Sequence, residues 1–206
     1  SMAFLTKALI IALALIMIIL VSQFNSFVKP AIIMFSVVMS TIGVFGGLAT
    51  FKMDFIVIMT GIGIVSLAGV VVNNAIVLID YIGLLKKMKK KELSLGEGDY
   101  LPHDVARQCI IDAGRTRLRP VLLTAITTIL GLMPLAVGFN IDFLSFFNTF
   151  EPDIYFGGDN SLFWGPMSWT VIFGLSFATF LTLVIVPSLY HVLYEAKVAM
   201  SNRRNK

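Results

Sequence analysis

Five stretches of the chain stay apolar for long enough to cross a bilayer, and polar residues collect between them. A spanning helix needs about 20 mainly apolar residues, because each rises about 1.5 Å through about 30 Å of hydrocarbon. The first stretch, residues 5–24, contains LIIALALIMIILV. The second, residues 31–51, follows Lys29-Pro30, and proline is well placed at a helix start. The third lies between Asp54 and Asp80, whose carboxylates bracket an uncharged run. The fourth begins at Pro120 and covers residues 120–139, and the fifth covers residues 168–194. The pattern predicts an all-α fold, a polytopic membrane bundle of five transmembrane helices. Residues 1–27 form the first helix and its inner turn, 28–54 the second helix and 55–85 the third. A basic loop with an amphipathic helix takes 86–116, the fourth helix 117–139, an aromatic acidic loop 140–167, and the fifth helix with a basic tail 168–206.

Composition agrees. Hydrophobic residues make up 57% of the 206 and charged residues 14%, against about 45–50% and about 25% in soluble domains. That excludes an ordinary cytosolic enzyme, a disordered tail and a nucleic-acid binder. The lone Cys109 excludes a disulfide-framed module. Lys7 before an apolar run resembles a signal peptide, but no small-residue cleavage site follows and later spans repeat the pattern.

Charge distribution sets the expected orientation. Lys86, Lys87, Lys89, Lys90 and Lys91 follow the third span, then Arg107, Arg115, Arg117 and Arg119. Lys197, Arg203, Arg204 and Lys206 follow the fifth. Residues 140–167 instead carry Asp142, Glu151, Asp153 and Asp159 and no basic residue. By the positive-inside rule the basic loop and tail are cytoplasmic and the acidic loop faces outward. Five spans then place the N-terminus on the periplasmic side and the C-terminus in the cytoplasm. An outside start points to a piece of a longer chain, with Ser1-Met2-Ala3 as a junction remnant. The outer loop is crowded with Phe139, Phe143, Phe146, Phe147, Phe150, Tyr155, Phe156, Phe163 and Trp164. Such aromatics belong at a membrane interface or beneath another domain. Residues 103–113 fit a short amphipathic helix along the inner surface, and the lysine run suits a solvated topology determinant beside anionic lipid.

Polar groups inside apolar spans are few and therefore informative. Ser66, Asn73 and Asp80 recur every seven residues and share a helical face, with Asn74 beside them. Arg117 and Thr124 repeat the interval in the fourth span, near Thr127, Thr128 and Gly131. Two readings are open: the amides and threonines cross-link helices by hydrogen bonds, or the two stripes face a shared aqueous path. Arg119 reads as an interfacial anchor. Gly43 and Gly47 form a GxxxG pattern, and Gly174, Ala178 and Thr182 continue small residues at fourfold spacing, which marks close helix packing. Pro134 and Pro187 interrupt apolar spans as kink positions.

Enzymatic constellations are not found: there is no HExxH, Walker A or CxxC. His103 and Cys109 alone do not make a zinc site, so neither metal nor cofactor is expected. Gly174-Leu175-Ser176 is reminiscent of an intramembrane serine protease, but His191 lies about 22 Å along the same helix.

The motifs carry a family resemblance. Gly69-Val-Val-Val-Asn-Asn-Ala-Ile-Val-Leu-Ile-Asp-Tyr81 resembles the tenth transmembrane helix of resistance-nodulation-division efflux pumps of the acriflavine-resistance type. Ala113-Gly-Arg-Thr-Arg-Leu-Arg-Pro-Val-Leu-Leu-Thr124 and Gly131-Leu-Met-Pro-Leu135 resemble the eleventh, and Gln23-Phe-x-Ser-Phe-x-x-Pro30 the link between the eighth and ninth. The resemblance runs in order over nearly the whole chain and implies helices eight to twelve of a twelve-helix antiporter. It implies export of drugs or amphiphiles against an inward cation gradient, usually of protons, in the bacterial inner membrane. The implied partners are the N-terminal half of the pump, two further copies in a homotrimer, a periplasmic adaptor, an outer-membrane channel and membrane lipid, and no nucleic acid.

In that family paired aspartates on the fourth helix carry protons, and a lysine, an arginine and a threonine complete the relay. Matched by motif, the arginine is Arg117, the threonine is Thr124, and the asparagine after the lysine is Asn74. The lysine position is Asn73. An amide cannot take up or release charge, so either the absent aspartates couple to Arg117 alone or the coupling ion differs. The implied relay is Asn73, Asn74, Arg117 and Thr124, with Ser66, Asp80 and Thr128 as an accessory polar stripe. With no acidic residue deep in any span, the chain is not expected to transport by itself. The alternatives are a non-transporting scaffold or assembly module, and part of a related lipid or protein exporter.

Overall fold

The computed structural model of the chain describes residues 2–96, 100–142 and 153–204. Its helices are α1 (Met2–Phe24), α2 (Val28–Thr50), α3 (Val57–Glu92), α4 (His103–Val137) and α5 (Asp159–Arg204). All five are long and apolar enough to cross a membrane, so the chain is an all-α membrane bundle.

The last helix organises the others. α5 packs against α2, α3 and α4, whereas α1 lies chiefly against α2 and α3. Of the most apolar part of each helix, 56% is buried in α5 but 6% in α1. The core is built from Ile33, Val44, Leu67, Leu78, Ile79, Leu175 and Val186, while Ile10, Ile11, Leu15, Ile18 and Ile19 of α1 face outward. In lipid an outward isoleucine costs nothing, because acyl chains are as apolar as the core.

Small residues make the α2–α5 contact. A methyl group at Gly43 would overlap Phe177, one at Gly47 would overlap Phe173, and one at Gly174 would overlap Leu67 and Val44. Ala178 and Thr182 continue that buried edge of α5. The buried serine and threonine hydroxyls of α2 and α5 bond within their own helices: Ser36 donates to the Ile33 carbonyl at 2.7 Å, Thr179 to Leu175 at 2.7 Å and Thr182 to Ala178 at 2.8 Å, whereas the buried Thr60 hydroxyl of α3 has no partner among the described residues. Water is absent at that depth, so such back-bonding is how a hydroxyl avoids the desolvation cost.

Three helices outrun the membrane. At about 1.5 Å per residue, α3, α4 and α5 exceed about 50 Å, and α3 ends, α4 begins and α5 ends in the basic sequence. Residues 103–113, expected to form a separate surface helix, instead continue without a break into the fourth span. Pro120 is thus interior to α4 rather than its first residue, and it removes the backbone hydrogen bond to the carbonyl of Thr116 one turn back.

At the acidic end Gly138 adopts a left-handed conformation (φ 79°) and closes α4, its N–H donating to the Pro134 carbonyl. There the Trp169 indole N–H donates to the Ala136 carbonyl at 2.8 Å, tying α5 to the end of α4. The outer loop also contains a hairpin, unforeseen from sequence, of β1 (Phe139–Asp142) and β2 (Asp153–Phe156), antiparallel with Phe139 opposite Phe156. Phe156, Phe163 and Trp164 are exposed there, whereas Phe143, Phe146, Phe147, Phe150 and Glu151 lie outside the described residues.

Candidate functional site

On α3, ahead of its basic end, the exposed positions are Ile58, Ile62, Ser66, Gly69, Asn73, Val77, Asp80 and Leu84, which follow steps of three and four and form one continuous stripe. Ser66, Asn73 and Asp80 therefore lie on a single uncovered face. Asn74, one residue round the helix, is buried at 6% exposure in the bundle. Nothing stands within 4 Å of the Cβ position of Gly69, so the middle of the stripe is open to a close neighbour.

α4 presents a similar surface. Pro120, Thr124, Thr127, Gly131 and Pro134 are exposed in a row, and the Cβ position of Gly131 also looks into open space. Leu123, Ile126 and Leu130 form a purely apolar row beside it. The threonines do not cross-link helices. Thr124 donates to the Pro120 and Val121 carbonyls at 3.1 and 2.9 Å, Thr127 to Leu123 at 2.8 Å, and Thr128 to Thr124 at 2.8 Å. Their hydroxyl protons are used inside α4, and their oxygens remain as acceptors on the open side.

Arg117 is where the two helices meet. Its guanidinium lies over the ring of Tyr81, 4.5 Å from the centroid, linking the start of the α4 span to the end of the α3 span. Its Nε is buried and, among the described residues, has no hydrogen-bond partner. A guanidinium does not deprotonate in proteins, so this is a fixed cation at a helix seam. The ring face supplies attraction of about 0.5–2 kcal/mol to a half-buried cation. Arg119 is exposed, consistent with an anchor. Tyr81 was not singled out from the sequence; its place directly after Asp80 on a known stripe was the available signal.

A buried cation lies further toward the basic end. Lys86, past the spanning part of α3, is 8% exposed, with Nζ 3.4 Å from the centroid of the Tyr194 ring and 4.6 Å from that of Tyr190. Burial pushes its ammonium down to about 8. Sequence alone grouped it with the solvated lysine run, because nothing local foretells that α5 covers it. Cys109, buried nearby, has its thiol pushed up, chiefly by desolvation.

Residues 1–141 match the AcrB/AcrD/AcrF family. The chain is similar to the swarming motility protein SwrC of Bacillus subtilis (strain 168), 37% identical over 186 residues, 90% of this chain and 15% of that one. It is also similar to Protein HelA of Legionella pneumophila, 30% identical over 132 residues, 64% of this chain and 10% of that one. A third relative is the multidrug resistance protein MdtC of Erwinia tasmaniensis, 28% identical over 91% of this chain and 15% of that one. Among solved structures, the X-ray crystal structure of a heavy metal efflux pump in crystal form I superposes with TM-score 0.66 at 27% identity, over 94% of this chain and 16% of that chain. The chain thus spans 10–16% of the length of these relatives.

Proposed function

The chain belongs to the AcrB/AcrD/AcrF family of resistance-nodulation-division efflux transporters, and from that premise we propose that α3 and α4 form one wall of an intramembrane ion-coupling relay. The relay residues are Asn73, Asn74, Arg117 and Thr124, with Ser66, Asp80 and Thr128 along the same faces. The carboxylates that bind the ion come from the rest of a longer pump and approach the open face, where Gly69 and Gly131 leave room for a helix. The inward-moving cation is a proton, and its passage drives export of drugs or amphiphiles across a bacterial inner membrane. The basic end is cytoplasmic. The complete pump works as a homotrimer with a periplasmic adaptor and an outer-membrane channel.

The observation that carries this reading is the state of Arg117. A half-buried guanidinium whose buried Nε has no partner among the described residues is under-compensated. An ionised carboxylate coming to the open face offsets that deficit, and its protonation withdraws the compensation. Ion arrival thereby changes how strongly the opposing helix is held, which is what a relay must do. Asn73 offers hydrogen bonds but no charge, so Arg117 is the fixed cation of the seam. Thr124, with its proton committed to its own helix, offers an acceptor oxygen to the same path.

The test is Arg117→Ala in the complete pump. Efflux of a fluorescent substrate falls at least about tenfold, equivalent to about 1.4 kcal/mol, while membrane insertion and trimer formation persist. Loss of insertion instead makes Arg117 a membrane anchor and removes the relay.

A further inference from the structure

At the basic end, beyond the apolar slab, the first residue of α4 meets the last turns of α5. His191 and Glu195 are four residues apart and project from one face of α5. His103 reaches them from the opposite side. Its Nε2 is in contact with Glu195 Oε1, the His191 Nδ1 is 3.5 Å from that same oxygen, and the two imidazole rings stand edge to face at 5.4 Å. The three ligand atoms lie within 4.8 Å of one another.

Two features show that the arrangement is held in place. The backbone N–H of Leu101 donates to the Tyr194 hydroxyl at 3.1 Å, and the Leu101 side chain is buried, so the segment leading to His103 is strapped to α5 one residue from Glu195. The outer nitrogen of His103, Nδ1, is 3.7 Å from an Asp104 carboxylate oxygen.

We propose that His103, His191 and Glu195 form a binding site for a zinc-class divalent cation that clamps the start of α4 to the end of α5. Two imidazole nitrogens and one carboxylate oxygen are a donor set suited to a borderline metal such as Zn²⁺, with a fourth position left for water. At metal–ligand distances of 2.0–2.2 Å, ligand atoms in a tetrahedral shell stand about 3.4 Å apart. The cluster reaches that spacing by small rotations of partly exposed side chains. Zn²⁺ takes the place of the proton between His103 Nε2 and Glu195 Oε1, which goes to solvent. Because α4 runs unbroken from His103 past Arg117, the clamp fixes the basic end of that helix against α5. The inference is independent of the ion-coupling proposal, and its residues lie on a different surface.

Untagged chain in lipid nanodiscs is titrated with Zn²⁺ against a chromophoric chelator. One Zn²⁺ binds per chain, and His191→Ala and Glu195→Gln each weaken binding at least about tenfold. His103→Gln does the same at an exposed helix start, where elution profile and helical content stay those of the parent, so its loss of binding is not a loss of fold. Zn²⁺ raises the thermal midpoint of the parent and leaves that of His103→Gln unmoved. Stoichiometry well below one, or unchanged affinity in His103→Gln, overturns the site.

Discussion

The α2–α5 contact and the α3–α4 face use the same kinds of residue and end differently. In the first, the space beside Gly43, Gly47 and Gly174 is taken by Phe177, Phe173 and Val44, and the buried hydroxyls of α2 and α5 are turned back into their own helices. In the second, Gly69 and Gly131 face open space, and Ser66, Asn73, Asp80 and Thr124 stand uncovered beside them. Small residues therefore line both surfaces, but among the described residues only the first has neighbours filling the space beside them. The difference also separates stability from function. The closed contact contains little that can change charge or bond partner, whereas the open one holds the Asn73 amide, acceptor oxygens and, at its basic end, the cation Arg117.

The largest expected effect is on the closed side. Gly47→Leu drives a side chain into Phe173 and costs about 3 kcal/mol or more, seen as a thermal midpoint lowered by ~6–12 °C; an unmoved midpoint breaks the contrast from that side. On the open side, Asn73→Lys adds a second cation to a face that already holds Arg117. Transport by the complete pump falls at least about tenfold through the cost of an uncompensated intramembrane charge, and wild-type efflux removes Asn73 from the relay. The smallest effect is that of Gly131→Leu on the chain by itself. With nothing within 4 Å to meet, stability changes by less than about 0.5 kcal/mol, and a loss matching that of Gly47→Leu erases the distinction.

The five helices were legible because span length and apolarity in a bilayer are dictated by backbone satisfaction, whatever the neighbours are. The GxxxG of Gly43 and Gly47 was legible for a related reason, although the sequence could not say that Phe173 and Phe177 fill it. The central place of α5 was not legible. A helix apolar all round gives no stripe by which to rank its contacts. The stripe Ser66–Asn73–Asp80 could be read from its interval of seven, since neighbours on one face need only helical geometry. Tyr81 under Arg117, Lys86 under Tyr190 and Tyr194, and His103 beside His191 and Glu195 all depend on how α3, α4 and α5 meet at the basic end. Local periodicity does not carry that information. The unbroken α4 was missed because Pro120 was read as a start, when a proline near the interface costs a helix only one bond.

The central claim is that the polar face of α3 and α4 is a seam that another part of the pump covers. Single cysteines at Asn73 and at Leu123, in a Cys109→Ser background, can carry a nitroxide, attached in detergent before reconstitution, in this chain and in the complete pump. The nitroxide on Asn73→Cys should collide freely with bilayer-dissolved oxygen in the chain and far less often in the pump, while that on Leu123→Cys on the apolar row collides alike in both. Equal oxygen accessibility of Asn73→Cys in the two would mean that the face meets only lipid, and the relay would have no place to form.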